Sequence, residues 1–315
     1  MYIFSQNDIK SLDIAPAKCV EWIRESFSLK ATAQLPEKIS LHPQGNDFFN
    51  TMPCLLPQCY HRYGVKIVHR IKGATPSLGG DILLYDSEQG HLLAMFDADW
   101  ITTMRTGAVA TMAMQTFRHS AARNYGFIGL GNTARATLLC LLDDEPDSMH
   151  HVRLLRYKDQ AESFVKRFEA YHNVMFSIVD DAKTLVAQSD VIVSCITEAD
   201  GLICDDNSCF REGCLVVPVH TRGFQNCDLF FDKVYADDTA HVRGFKYFDR
   251  FRQFAEMQEA VEGTKPGRES DTERILSYNI GLGLHDVVFA NKIYDLLKDR
   301  HEEMTIARET GKFWI

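Results

Sequence analysis

The 315-residue sequence lacks any apolar stretch long enough to cross a bilayer, and it also lacks a dense group of basic residues. A membrane-spanning helix needs about 20 consecutive apolar residues. The segment Met1 to Asp8 does not combine a basic region with an apolar block, so the sequence predicts neither secretion nor membrane insertion. The net charge is −9, and without grouped Lys and Arg to neutralise phosphates we expect no nucleic-acid partner.

Cysteine is present, but not in the arrangements that disulfide or zinc frameworks use. The nine cysteines are odd in number and scattered, and none forms a Cys-x-x-Cys motif. Cys204, Cys209 and Cys214 recur every five residues, yet no nearby histidine completes a ligand set. The pattern predicts reduced thiols, a cytoplasmic location and no metal site.

A glycine turn after a short apolar run is the most informative feature that is present. The run Tyr125 to Ile128 leads into Gly129-Leu130-Gly131, and an Ala/Leu-rich helix follows from Asn132 and Thr133. Gly129 permits a tight turn, Gly131 lets backbone approach a phosphate, and the small Ala134 lets the helix pack on the strand. The segment predicts a dinucleotide pyrophosphate site, with an ordinary tight turn as the alternative.

The residues after this turn alternate between strand and helix patterns. A helix is predicted near Thr133–Leu142, then strand 152–155, helix 159–171, strand 174–179, a helix capped by Asp180, and strands 191–195 and 215–219. Alternation of this kind is typical of parallel strands joined by crossover helices. We therefore predict an α/β fold with a Rossmann-type doubly wound parallel sheet.

The choice of cofactor is partly readable where the second strand ends. An NAD-selective site usually offers a carboxylate to the ribose 2′-hydroxyl at this point, whereas this chain has Arg156, Tyr157 and Lys158. Two cations suit a 2′-phosphate, and an aromatic or guanidinium plane can stack on adenine. The sequence favours NADP(H), with NAD(H) possible if Asp159 holds the ribose instead.

The length of the chain exceeds that at which one hydrophobic core usually stops growing, so two domains are expected. Residues before about 118 show period-two strand patterns at Gly64–Ile71, 81–85 and 91–96, and an amphipathic helix is predicted at 280–297. We predict an α+β substrate and dimerisation domain from residues 1–117 and 281–315, around a Rossmann domain at 118–280. A substrate cleft is expected between the two.

Two cations of the first domain stand in unusual settings. Lys66 lies within the apolar strand pattern Gly64-Val65-Lys66-Ile67-Val68, where a charge costs free energy unless it meets an anion. Arg105 is expected to open the small-residue helix Thr106 to Ala110, so that its guanidinium joins backbone N–H groups that face a carboxylate. The alternatives are that Lys66 points to water and that Arg105 makes a structural ion pair.

Several motifs together resemble the ornithine cyclodeaminase/mu-crystallin family. They are Met52-Pro53, Gly64-Val65-Lys66, Arg105-Thr106-Gly107-Ala108, Gly129-Leu130-Gly131, the segment Ser189 to Thr197, Gly263 to Arg268, and Asn279 to Asp286. The resemblance spans nearly the whole chain, and the order of the motifs makes it specific. It implies a homodimer that transfers hydride at the α-carbon of an amino or imino acid.

The resemblance also implies roles for individual residues. Lys66 matches the family's active-site lysine, and Arg105 matches the arginine that binds the α-carboxylate. Lys38 falls where the family often has another carboxylate-binding cation. Further cofactor-lining positions are matched by Thr106, Thr197, Val219 and His220.

Two departures from the family pattern bear on the substrate. Cyclodeaminases carry an aspartate for the substrate amine where this chain has Arg222, and a glutamate before Met-Pro where it has Asn50. A pocket that holds a second ammonium needs anions, so ornithine is a poor candidate. The segment His220 to Gly223 is nearer to the branch that acts on carboxylate-bearing secondary amines. The alternative is that Arg222 points to solvent or pairs with Asp228.

These observations favour an NAD(P)-dependent oxidoreductase, either an amino-acid dehydrogenase or a ketimine reductase, with an N-carboxyalkyl amino acid as a candidate substrate. One alternative is a cyclodeaminase, which recycles its cofactor internally and releases ammonia. The other is an NADP-dependent small-ligand binding protein like mu-crystallin.

Overall fold

The computed structural model describes residues 1–305 and 311–312. Its strands are β1 Tyr2–Phe4, β2 Ile39–Leu41, β3 Phe48–Leu55, β4 Arg62–Arg70, β5 Leu78–Asp86, β6 Leu92–Asp97, β7 Asn124–Ile128, β8 His150–Leu155, β9 Val174–Val179, β10 Val191–Ser194, β11 Leu215–Pro218, β12 Lys233–Ala236, β13 Phe254–Glu256 and β14 Ile275–Tyr278. Its helices are α1 Gln6–Lys10, α2 Pro16–Leu29, α3 Asp99–Phe117, α4 Asn132–Asp144, α5 Gln160–Lys166, α6 Ala182–Ala187, α7 Thr239–Val242, α8 Met257–Val261 and α9 Gly283–Leu297.

The chain divides into two compact units. The first unit contains Met1–Ile14, Leu29–Thr102 and the described residues from Gly283 onward, and the second contains Ala15–Ser28 and Thr103–Leu282. The boundaries at 117/118 and 280/281 stay a prediction from the sequence. Part of the predicted segment 281–315, namely residues 306–310 and 313–315, lies outside the described residues.

The first unit is built on a mixed sheet in the order β1-β6-β5-β4-β3-β2. Only the β1–β6 pair is parallel. Helix α9 packs on β3, β4 and β5. Because side chains alternate between the faces of a strand, Gly64, Lys66 and Val68 lie on one buried face of β4 while the intervening Ile67 is exposed.

The second unit contains a fully parallel sheet in the order β13-β12-β14-β11-β10-β7-β8-β9. Its central strands β10 and β11 are buried along their whole length, as expected for a sheet covered on both faces. In this sheet β8 lies on one side of β7, and β10 lies on the other side of β7. This reversal of strand order is the point where open parallel sheets bind ligands. The predicted α/β fold with a Rossmann-type parallel sheet is confirmed.

Several element boundaries differ from the sequence prediction for local physical reasons. Helix α5 ends at Lys166 rather than near 171. The N–H groups of Arg167 and Phe168 donate to the carbonyls of residues 164 and 165, three positions earlier, and this 3₁₀ pattern closes the helix. The cap of α6 is Asp181 rather than Asp180, since its carboxylate accepts the N–H of Thr184.

The predicted start at Arg105 is also wrong, because α3 begins six residues earlier, at Asp99. The Asp97 carboxylate accepts the N–H of Asp99 at 3.0 Å, which satisfies a donor of the first turn. Helix α9 begins at Gly283 rather than at residue 280, because Gly281 has a φ of +99° that no α-helix accepts. None of the described helices combines the length and apolar character needed to cross a membrane.

Candidate active site

The glycine turn lies directly after β7, at the reversal of strand order in the second unit. Gly129 has a φ of +79°, and a Cβ at this position would lie 2.8 Å from the backbone of Cys195 and Ile196. Gly129 therefore admits no other residue without a shift of the backbone. Ala134 is fully buried, as predicted for a helix packed closely against the strand.

The amino terminus of α4 fits an anionic cofactor group. Its N-cap is Gly131, which has no side chain to accept the first N–H groups, and the space where a Cβ would lie is open to 4 Å. Asn132 is exposed, and Thr133 is partly exposed. Such a terminus offers unsatisfied N–H donors and the positive end of the helix dipole, so these residues fit a pyrophosphate.

A cavity of about 250 Å³ opens beside this turn, between α4 and the start of α5. Its lining includes Gly131, Arg135, Asp159, Ser163 and Arg167. Among the described residues, the Nε of Arg135 is buried without a hydrogen-bond partner. The lining contains two guanidinium groups and one carboxylate. The cavity therefore has a net positive charge, which suits a phosphorylated ligand.

The three residues after β8 are exposed and do not line this cavity. Arg156 forms ion pairs with Glu162 and, at 2.8 Å, with Asp180. Lys158 places its ammonium 5.2 Å from the centre of the Tyr157 ring. Arg156 is thus held in place by two exposed carboxylates, in ion pairs that contribute little to stability at a surface.

The loops after β10 and β11 are joined by hydrogen bonds around His220. Its Nδ1 accepts the backbone N–H of Arg222 at 3.1 Å, so Nε2 carries the hydrogen and donates to Ser194 Oγ at 2.7 Å. Burial and the charge of Arg222 lower the pKa of His220 to about 4. The ring is therefore neutral near pH 7. The backbone N–H of Val219 also bonds to the Ser194 carbonyl at 3.0 Å.

Arg222 is exposed, and its guanidinium donates to the Thr197 carbonyl at 3.0 Å. Asp228 lies in a different environment. It is buried and accepts a hydrogen bond from the Tyr278 hydroxyl at 2.8 Å, and burial raises its pKa to about 6. The structure therefore brings Arg222 together with Thr197 and His220.

Arg105 is 5% exposed and lies inside α3. A Cβ added to Gly281 would overlap Arg105 Nη1 and lie 3.2 Å from its Cζ. The N–H of Gly281 donates to the Asp237 carboxylate, which lies 3.0 Å from Nδ1 of His241. Arg105, Gly281 and Asp237 thus form one packed group at the carboxyl ends of β12 and β14. Thr106, the next residue of α3, is partly exposed.

Lys66 is fully buried in the first unit, on the helix-covered face of β4. Its Nζ donates to Asp286 Oδ1 at 2.9 Å, and the Asp286 side chain is also fully buried. The anion that a charge in this strand requires is therefore supplied by the first turn of α9. The alternative in which Lys66 points to water is wrong.

The other proposed substrate residues of the first unit lie near its sheet edge. Lys38 precedes β2 and is partly exposed. Asn50 lies on β3 opposite Ser40 and Val68, and among the described residues its buried Oδ1 accepts no hydrogen bond. An unsatisfied buried acceptor of this kind is uncommon in folded proteins.

The sequence motifs assigned no role to Asp286 or Asp237, although the residues around each of them indicate one. Asp286 is a carboxylate within an apolar helix, and Lys66 is an ammonium within an apolar strand, so each charge requires a partner. Asp237 directly follows the buried strand β12, at the sheet edge where parallel strands end.

The fold and the glycine turn define a protein of the Rossmann class. The chain belongs to the ornithine cyclodeaminase/mu-crystallin family, whose model matches residues 2–301. The family resemblance predicted from the sequence motifs is confirmed.

Similar proteins include N-((2S)-2-amino-2-carboxyethyl)-L-glutamate dehydrogenase of Staphylococcus aureus, which is 26% identical over 244 residues that cover 72% of this chain and 70% of that protein. The structure of Thermococcus litoralis Δ1-pyrroline-2-carboxylate reductase, in complex with NADH and L-proline, has a TM-score of 0.84 at 23% identity and covers 95% of this chain and 98% of its own. An archaeal alanine dehydrogenase dimer with bound NAD has a TM-score of 0.82 at 23% identity, with coverages of 97% and 98%. These relatives are oxidoreductases of amino and imino acids.

Proposed function

We propose that the protein is an NAD(P)-dependent oxidoreductase that transfers hydride to or from the α-carbon of an amino or imino acid. The observation that carries the proposal is a buried lysine paired with a carboxylate, in a family member that also has a dinucleotide turn with an open helix terminus. Buried ionisable groups of this kind cluster at functional sites, which supports a catalytic role.

The proposed chemistry assigns separate tasks to the side chains. When bound, the nicotinamide supplies or accepts the hydride at the substrate's α-carbon. Arg105 binds the α-carboxylate through its planar guanidinium and so orients the α-carbon. In the reducing direction the α-carbon gains the hydride and the C=N bond becomes a C–N bond. The substrate nitrogen takes a proton from the Lys66 ammonium, and the Lys66 amine is then reprotonated by water. Oxidation reverses these steps.

We propose an N-carboxyalkyl amino acid, or the imine derived from one, as a substrate class. The support is the cation Arg222 where cyclodeaminases have an aspartate, together with the activity named for the Staphylococcus aureus relative. Lys38 and Asn50 are proposed as further substrate contacts in the first unit. An anionic substrate with two carboxylates would use more than one cation.

A cofactor-turnover assay tests the reaction type. We expect steady loss of NADPH absorbance with a panel of imino acids that carry one or two carboxylates. Ammonia release without net cofactor change would instead indicate a cyclodeaminase. Tight cofactor and ligand binding without reduction of any panel member would indicate a binding protein like mu-crystallin.

We propose NADP(H) as the preferred cofactor, held by the turn residues Gly129 to Ala134, by Arg156 to Lys158, and by Thr106, Thr197, Val219 and His220. The support is the cationic character of the segment after β8 and of the cavity beside the turn. The ion pairs of Arg156 are exposed, so a 2′-phosphate can compete for its guanidinium.

Charge reversal at Arg156 tests this preference. Arg156→Asp should lower the ratio of kcat/KM for NADPH to that for NADH by about 10- to 100-fold, because a hydrogen bond to a charged group contributes ~1.5–3 kcal/mol. Arg252 is a matched control, since it also forms an exposed ion pair, with Asp232 at 3.1 Å, but lies next to β13 at the other edge of the sheet. An unchanged ratio in Arg156→Asp, with weaker NADH binding in Asp159→Asn, would assign the ribose to Asp159.

We also propose that the protein is a homodimer. The exposed side chains Ile39, Leu41, Phe49 and Ile67 share the face of the first sheet that α9 does not cover, because their register pairs them across β2, β3 and β4. Contiguous apolar surface of this kind commonly marks an interface. Sedimentation equilibrium should give twice the mass of the chain, and a monomer at micromolar concentration would exclude the proposal.

A further inference from the structure

The buried pair in the first unit lies beside apolar side chains of the sheet. Lys66 is opposite Met52 on β3 and Ile82 on β5, and both of these side chains are buried. Buried titratable groups on the same elements include Cys54 on β3, and His285 and Asp286 on α9. Burial and the charge of Asp286 raise the pKa of Cys54 to about 12, so this thiol is neutral. The charge of Asp286 therefore acts on β3 as well as on β4.

The position of Asp286 in its helix favours its ionised form. It lies in the first turn of α9, where the helix dipole stabilises a negative charge. The helix packs closely on the sheet, since a Cβ at Gly64 would lie 2.6 Å from Val287 Cγ2. The carboxylate is thus held by a helix that has little room to move relative to β4.

A buried ion pair is poor evidence of a contribution to stability. Replacement of such a pair by apolar residues of similar volume is often neutral or stabilising, because removing two charges from water is costly. An ionic pair inside an otherwise apolar contact between helix and sheet therefore calls for a chemical reason. The function proposed above supplies one, since it requires a lysine that carries a proton to a fixed place.

We propose that Asp286 is a positioning residue for that reaction, whose carboxylate keeps the Lys66 ammonium protonated and fixes its orientation. Asp286 engages one of the three ammonium hydrogens and so restricts rotation about the Cε–Nζ bond. A nearby negative charge favours the protonated form of an amine, and this opposes the effect of burial. This inference rests on the proposed function.

Kinetics of Asp286→Asn test the inference. We expect kcat for imine reduction to fall by about 10²-fold, the scale usual when a reacting group is misplaced by about 1 Å, with a smaller change in KM. The fall of kcat/KM at high pH should also begin at lower pH than in the wild type, because the unpaired ammonium loses its proton more readily. Asp286→Glu retains the charge and should recover part of the rate and the wild-type pH profile.

Asp295→Asn is the matched control. Asp295 is on the same helix and pairs with Lys298 at 3.0 Å, but both side chains are exposed, so the same substitution should alter neither rate nor pH profile. A purely structural role for Asp286 would lower the rate of Asp286→Asn without moving its pH profile. That result would overturn the inference.

A second readout does not depend on activity. In Asp286→Asn, folded Lys66 should lose its proton at a pH where the unfolded chain still holds it, so the unfolding free energy of the variant should rise with pH between about 7 and 10. If Asp286 acts as proposed, Lys66 should keep its proton in the folded and unfolded wild type alike, so the wild-type unfolding free energy should show no such rise over that range. Parallel curves for the two proteins would overturn the inference, whereas a wild type without turnover would overturn the proposed function and, with it, the role of Asp286.

Discussion

Arg105→Ala should lower kcat/KM by about 10²- to 10⁴-fold, because the variant loses two charge-assisted hydrogen bonds to the substrate carboxylate, each contributing ~1.5–3 kcal/mol. Without this contact the α-carbon is no longer held in line with the cofactor, so kcat should fall as well as substrate affinity. Cofactor binding, measured by fluorescence titration, should remain close to that of the wild type.

Two further variants separate binding from folding. Arg105→Lys keeps the charge but loses the planar fork, so it should recover only a small part of the activity. Arg118→Ala removes an arginine directly after the same helix, where it pairs with Glu145 at 2.6 Å, and should lower stability without a comparable loss of kcat/KM. Equal losses in Arg105→Ala and Arg118→Ala would mean that Arg105 acts through the fold rather than on the substrate.

The parallel sheet was predictable because its signals are local. The turn Gly129-Leu130-Gly131 and the apolar runs at β9 and β10 follow from residue type and spacing alone, and their bounds agree with the structure within one residue. Boundaries that depend on tertiary hydrogen bonds were not predictable. The start of α9 follows Gly281, whose positive φ excludes a helix and whose N–H donates to Asp237, 44 positions away in the sequence.

In the candidate site, too, local features were predictable and tertiary contacts were not. Lys66 stands out because a charge in an apolar strand is unusual, and the sequence correctly indicates that it needs an anion. It does not say which anion, since Asp286 is 220 positions away and reaches Lys66 only through the packing of α9 on β4. Similarly, Arg156 is a suitable cation by position, but its pairs with Glu162 and Asp180 depend on how β8, α5 and β9 end.

Gly281→Ala should also cause a large loss of activity, because Gly281 has a positive φ and lies against the Arg105 guanidinium. Its φ of +99° is rarely adopted by residues with a side chain, and the added methyl would overlap the Arg105 guanidinium. The backbone strain should cost about 1–3 kcal/mol of unfolding free energy. Displacement of Arg105 by even about 1 Å should lower kcat/KM by a further ~10²-fold.

Gly263→Ala separates strain from collision. Gly263 also has a positive φ, +72°, but has no heavy atom within 4 Å of the place where its Cβ would lie. Both variants should therefore lose stability in urea unfolding, while only Gly281→Ala should lose activity. If Gly281→Ala were as active as Gly263→Ala, the packing of Gly281 would not determine where Arg105 holds its substrate. The two variants share the strained backbone, but only Gly281→Ala places a methyl group against the guanidinium. A loss of activity confined to Gly281→Ala would therefore mean that the glycine positions Arg105 by leaving space for it.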